Sequence, residues 1–214
     1  INDYAKTKIQ PISERSKNKI AVIYFNGDIV SGEGSDESIG SERLSRAVRK
    51  VRIDSNVKAV VLRINSPGGS ALASDVMWRE IMLTRKEKPV IASFGDVAAS
   101  GGYYIGVAAD SILVQPNTIT GSIGVFGINP NTQKFFNDKL GITFDNVKTS
   151  EYADIMDLTR PMTPSERAIL QNGVNRVYDT FLDRVATGRK RSKEYINRIA
   201  GGRVWSGKDA VRLG

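Results

Sequence analysis

Ser100 sits in the run VAASGGYY, residues 97–104, where alanines and glycines leave one hydroxyl open to close approach. A second run of small residues, INSPGGS at 64–70, brings Gly68 and Gly69. Both runs follow an apolar segment that reads as a buried strand and lead into a helical pattern, so their backbone amides lie near a positive helix end where anionic oxygen is favoured. An oxyanion hole needs two such donors converging about 3 Å from one oxygen, and glycine lets a substrate carbonyl come close. Gly68, Gly69 and Gly101 can supply such amides. Either turn alone is an ordinary strand-to-helix connection. The two together, each after a buried strand, favour an oxyanion site beside Ser100 and raise the question of whether Ser100 is a nucleophile.

What would take the proton of Ser100 is the difficulty, because the chain has no His and no Cys. That excludes a Ser-His-Asp triad, thiolate nucleophiles and imidazole or cysteine metal sites, and leaves Lys, a carboxylate or water as the base. No cofactor or metal is called for. The formal net charge is +8, but its basic clusters, RAVRKVR, TRKEK and GRKRSK, each border a helical pattern and have no aromatic residues between them. They read as solvated helix faces with weak attraction for an anionic membrane surface, and not as a nucleic-acid platform. No run approaches the roughly 20 apolar residues of a membrane span, and the chain reads as soluble.

At 214 residues and 40% hydrophobic content the chain can bury one sizeable core. Residues 1–18 read as a linker or arm, and residues 19–214 as one domain with a helical extension from about residue 163. KIAVIYFNG, KAVVLRIN and PVIASFG read as buried strands, with SILVQP and ITFDNV as further ones. SGEGSDESIG reads as a surface loop. Helices are expected from Ser41, over Ala71–Arg85, over Gly102–Ala109 after a tight VAASGG turn, and in SKEYINRIAGG. A long helix starts at Thr163 as N-cap with Pro164 at N1 and Glu166 completing a capping box, and Gly188 suits its C-terminal cap. Strands alternating with helices predict an α/β fold with a largely parallel sheet.

NSPGGS, AASGGYYIG, TGSIGVFG and GGRVWSGKDAVRLG, in this order and spacing, resemble the signal peptide peptidase or protease IV family. The resemblance covers Lys19–Gly214. It implies a Clp protease/crotonase-like fold, Ser100 as nucleophile, Gly69 and Gly101 as oxyanion donors with Gly68 shaping the turn, and a Ser-Lys dyad. Ser122, in TGSIG, corresponds to the serine that hydrogen-bonds the lysine. A lysine base must have its pKa brought down from about 10.4 by burial or neighbouring positive charge before it can accept a proton near neutrality.

The chain departs from the family at that lysine. Short members carry it in a segment like TSEYADIMDLTRPMT, at the position of Ala153. Two readings fit: the chain is the second of two homologous halves, the upstream half supplying the lysine, or it is a short-type enzyme whose lysine has been replaced. Lys134, Lys139, Lys148 and Lys208 read as solvated surface groups. The resemblance further implies apolar peptide substrates, namely signal peptide remnants, a homo-oligomeric ring or dome, and a place on the outer face of a bacterial cytoplasmic membrane. Alternatives are a crotonase-like acyl-CoA enzyme, or a non-catalytic half for assembly and substrate binding.

Overall fold

The computed structural model describes residues 16–214; most of the expected arm, residues 1–15, lies outside them. The apolar runs assemble into one sheet. Strand β1 (Lys19–Asn26) lies parallel to β4 (Val57–Ser66), and β4 parallel to β5 (Val90–Ala99). Along β5 two short strands succeed one another as partners: β6 (Ser111–Leu113) on Ile91–Ser93, then β7 (Ile119–Gly121) on Val97–Ala99. β8 (Val204–Ser206) closes the order antiparallel to β7. A separate parallel pair, β2 (Asp28–Val30) and β3 (Ser38–Gly40), lies beside it, so part of the expected 31–40 loop is strand.

A local irregularity lets β5 change partner. The β4–β5 register shifts between Ile64 and Ser66, and the Asn65 side chain accepts the Val97 N–H at 3.1 Å. Gly95 makes room, since a Cβ there would stand 2.9 Å from Asn65 Oδ1. The far end of β5 thereby turns towards β7, as bulges beside functional sites commonly redirect a strand. The expected VAASGG turn is accordingly corrected: Val97–Ala99 are paired strand, and the reversal is confined to Ser100.

Helices α1 (Ser41–Ile53), α2 (Ala71–Arg85) and α3 (Gly101–Gly106) follow β3, β4 and β5. Phe25, Leu62, Ile64, Met77, Ile81 and Ile105 are among the fully buried side chains where these elements meet. Helix α5 (Pro164–Arg189) starts as expected: the Thr163 hydroxyl accepts the Glu166 N–H, and the Glu166 carboxylate accepts the Thr163 N–H. It ends two residues later than expected, on Lys190 in a left-handed conformation. Gly188 is not the cap but a contact point, because a Cβ there would stand 2.4 Å from the Val107 carbonyl oxygen. Helices α6 (Lys193–Ile199) and α7 (Gly207–Leu213) flank β8, and neither β7, β8 nor α7 was distinguished in the sequence.

Two further expectations fail. ITFDNV, residues 142–147, is no strand: it is exposed and unpaired, after a short helix α4 (Gln133–Phe135) that continues into a π-helical turn, Phe136–Leu140. β1, read as fully buried, leaves Ile20, Val22 and Tyr24 exposed at 68%, 50% and 64%.

Candidate active site

Ser100 occupies the junction of β5 and α3 with φ +50 and ψ −120. Only three non-glycine residues among those described have positive φ, and Ser100 and Ser122 are two of them. Such a conformation costs on the order of 1–3 kcal/mol and persists only when its surroundings enforce it. Here both backbone groups of Ser100 are held: its N–H donates to the Gly121 carbonyl at 2.9 Å, and its carbonyl accepts the Tyr104 N–H at 2.9 Å. The sharp strand-to-helix reversal presents the hydroxyl at the sheet end, as in a nucleophile elbow.

The Gly68–Gly69 turn packs directly over this junction. A Cβ on Gly68, whose φ is +110, would meet Gly101 N at 2.6 Å and Ser100 Cβ at 2.8 Å. Only glycine brings the turn so close. Ile29 in β2 donates its N–H to the Gly68 carbonyl and accepts the Ser70 N–H, each at 2.8 Å. By the alternation of a parallel bridge, the Gly69 N–H then faces away from β2. Gly101 is the first residue of α3, where N–H groups have no intrahelical acceptor. The Gly69 and Gly101 N–H groups thus have no acceptor among the described residues, and both residues line the same cleft as Ser100.

Ser122 stands beside this group because Gly121 links β7 to Ser100. Its φ is +49, and its N–H donates to the Arg203 carbonyl at 2.7 Å. The late GGRVWSG motif fixes that position through β8 and through the Gly202 N–H, which donates to the Ile123 carbonyl at 2.9 Å.

Gly68, Gly69, Ser100, Gly101 and Ser122 all line one cleft of about 1050 Å³. Its far wall is the face of α5 that carries Val174, Val177, Tyr178 and Phe181, and its floor includes Tyr104. Among the described residues, Asp28 is the one charged residue in the lining, and no lysine lines it. The opening lies at the carboxyl ends of parallel strands, where open α/β sheets bind ligands.

Ala153 is not brought to this cleft. It lies exposed in a turn that is anchored to the start of α5. Arg160 is the anchor, donating to Asp154 Oδ2 at 2.8 Å and pairing with both carboxylate oxygens of Glu166. The guanidinium hydrogen bonds hold both carboxyls well below their usual range, at about 2, helped at Asp154 by Lys148 and at Glu166 by the Thr163 N–H. Lys148 is thereby committed to Asp154, at 3.1 Å, while Lys134, Lys139 and Lys208 are exposed and outside the cleft lining.

The profile of peptidase family S49 matches residues 82–214, which include Ser100 and Ser122. The chain belongs to peptidase family S49. Among S49 relatives, Protease 4 of Haemophilus influenzae is 43% identical over 198 residues, covering 92% of this chain and 32% of its own. The chloroplastic serine protease SPPA of Arabidopsis thaliana is 40% identical over 203 residues, covering 92% of this chain and 30% of its own. The chain therefore spans about a third of the length of these curated relatives. Among solved structures, a point mutant of ClpP1 from Listeria monocytogenes superposes with a TM-score of 0.57 at 18% identity, covering 90% of this chain and 86% of that one. The S49 domain thus has the Clp protease fold.

Sequence reasoning passed over two features of the site. The contact of Asp75 and Arg184 with Tyr104 joins residues 109 positions apart, for which no local pattern exists. Asp28 follows an Asn-Gly turn and carries no signal beyond being acidic.

Proposed function

We propose that this chain is the serine-bearing part of a Ser-Lys endopeptidase that cleaves extended, apolar peptides such as signal peptide remnants, with the lysine supplied from outside the chain. The observation that carries this reading is the strained Ser100 sharing one cleft with Gly69 and Gly101, with no lysine lining it among the described residues. Ser100 Oγ attacks the scissile carbonyl while a neutral lysine takes its proton. The resulting oxyanion is held by the Gly69 and Gly101 N–H groups. Collapse breaks the peptide C–N bond, the lysinium protonates the leaving amine, and water opens the ester by the reverse sequence. Ser122 orients the lysine as a hydrogen-bond partner. The apolar α5 wall suits apolar side chains, and the exposed Gly69, whose carbonyl faces away from β2, suits strand-like pairing with a peptide.

On this reading the isolated chain is nearly inactive, and the working enzyme is an oligomer on the outer face of a bacterial cytoplasmic membrane. Among the described residues no helix is long and apolar enough to cross a membrane. The test compares turnover of an apolar fluorogenic peptide by the isolated chain, by the full-length protein and by its Ser100→Ala variant. Removing one member of a catalytic unit leaves on the order of a thousandfold acceleration over water, so the chain alone should be slow and the full-length protein fast. Ala153→Lys in the isolated chain asks whether a short-type dyad can be rebuilt. Robust Ser100-dependent cleavage by the unaltered chain would sink the divided dyad, and thioester hydrolysis without peptide cleavage would favour an acyl-CoA enzyme.

A further inference from the structure

The turns that carry Gly69 and Ser100 each run straight into a helix, and one hydrogen bond ties those helices together. Tyr104 lies on α3, and its N–H donates to the Ser100 carbonyl at 2.9 Å. The phenol donates to Asp75 Oδ1 at 2.6 Å. Asp75 lies in the first turns of α2, six residues beyond Gly69. From α5, Arg184 Nε approaches the same carboxylate oxygen at 3.3 Å, while its guanidinium stacks 3.8 Å over the Trp78 ring of α2. The Tyr104 ring is buried and leans on Phe181 with centroids 4.8 Å apart. Burial first, and then the bond to Asp75, push the Tyr104 hydroxyl above its ordinary pKa, so it remains a donor.

These contacts bear on the amides because little separates them from α2. The Ser74 hydroxyl donates to the Ser70 carbonyl at 2.9 Å, and a Cβ on Gly101 would meet Ser74 Oγ at 2.6 Å. The first turn of α2 therefore abuts Gly101, and a slide of α2 along α3 would change the separation of the Gly69 and Gly101 N–H groups. Oxyanion donors work over a narrow range, about 2.7–3.1 Å from the oxygen, and a misplacement of about 1 Å can cost a hundredfold in rate.

We propose that Tyr104 and Asp75 are positioning residues for the oxyanion site: their hydrogen bond sets the spacing of the Gly69 and Gly101 amides, with Arg184 holding the carboxylate in place from α5. This rests on the function proposed above. Asp75 does not line the cleft, so its effect on catalysis is indirect.

The experiment uses the full-length protein and two readouts: peptide turnover, and the rate at which a fluorophosphonate labels Ser100. Tyr104→Phe keeps the ring on Phe181 and removes the donor; Asp75→Ala removes the acceptor; Asp75→Asn keeps an acceptor oxygen. We expect Tyr104→Phe and Asp75→Ala each to lower kcat and the labelling rate about tenfold with KM within about twofold, and the double variant to be no worse than either single one. Asp75→Asn should recover most of the loss, with melting temperatures close to the parent's throughout. Additive losses, a change confined to KM, or losses that track melting temperature with Asp75→Asn as poor as Asp75→Ala would overturn the proposal. If the parent is labelled at Ser100 but cleaves no peptide, the assigned substrate fails while the labelling rates still decide this inference. If the parent shows neither, both fall.

Discussion

Gly68 shows how much of the site depends on single atoms. Its φ of +110 strains any other residue, and a methyl there would press on Gly101 N and Ser100 Cβ, beside the proposed oxyanion site. Gly68→Ala should therefore remove turnover in the full-length protein and lower its melting temperature. Gly141 is the control: its φ is +64, but nothing lies within 4 Å of its absent Cβ. Gly141→Ala should cost about 1 kcal/mol of backbone strain and leave catalysis alone. Equal losses of activity in the two variants would show that global stability, and not the space beside Ser100, is what Gly68 protects.

At the scale of elements, α5 separates helix propensity from packing. It contains two interior glycines, and Ala is better than Gly in a helix by about 1 kcal/mol. Around Gly173 nothing stands within 4 Å of a new Cβ, so Gly173→Ala should stabilise by roughly 0.5–1 kcal/mol. At Gly188 the Val107 carbonyl blocks the methyl, so Gly188→Ala should destabilise by thermal or urea unfolding. The start of α5 answers to acid. Asp154 and Glu166 have folded pKa values lowered to about 2 from 3.8 and 4.5, so the unfolded chain binds more protons than the folded one between those limits. Their contribution is complete above pH 4.5 and is lost as pH falls towards 2. Glu166→Gln should lower the melting temperature at pH 7 and flatten its decline on the acid side. A parallel, merely displaced pH curve would show that the Arg160 pairing is not what acid breaks.

At the scale of the whole molecule, two apolar surfaces lack cover among the described residues. Parallel sheets are normally buried on both faces, yet β1 leaves Ile20, Val22 and Tyr24 open on one. Phe126, which lines the cleft, is exposed at 84%, and Val147 in the segment that follows at 99%. Patches of this kind mark interaction surfaces, in keeping with the oligomer proposed for the working enzyme. Light scattering across protein concentrations should show association of the full-length protein, and Val22→Lys should weaken it without altering the fold by circular dichroism. A monomer at every concentration would remove the assembly from the proposal.

From sequence alone the strands of the sheet core, α1, α2 and the capped start of α5 were legible, because each is encoded by neighbours a few residues apart. The small residues around Ser100 and Gly69 also stood out as two short runs, and the structure brings both runs to one cleft. Local patterns do not carry register or partners. ITFDNV has the composition of a strand, but a strand needs an edge to pair with, and none reaches residues 142–147. Gly188 looks like a cap until Val107 is found against it, and Tyr104, Asp75 and Arg184 become neighbours only when α2, α3 and α5 pack around one cleft. Only the tertiary structure could decide that Gly68 meets Ser100 and that Ala153 does not line the cleft, because such distances follow from how whole elements are stacked and not from the residues beside them in the chain.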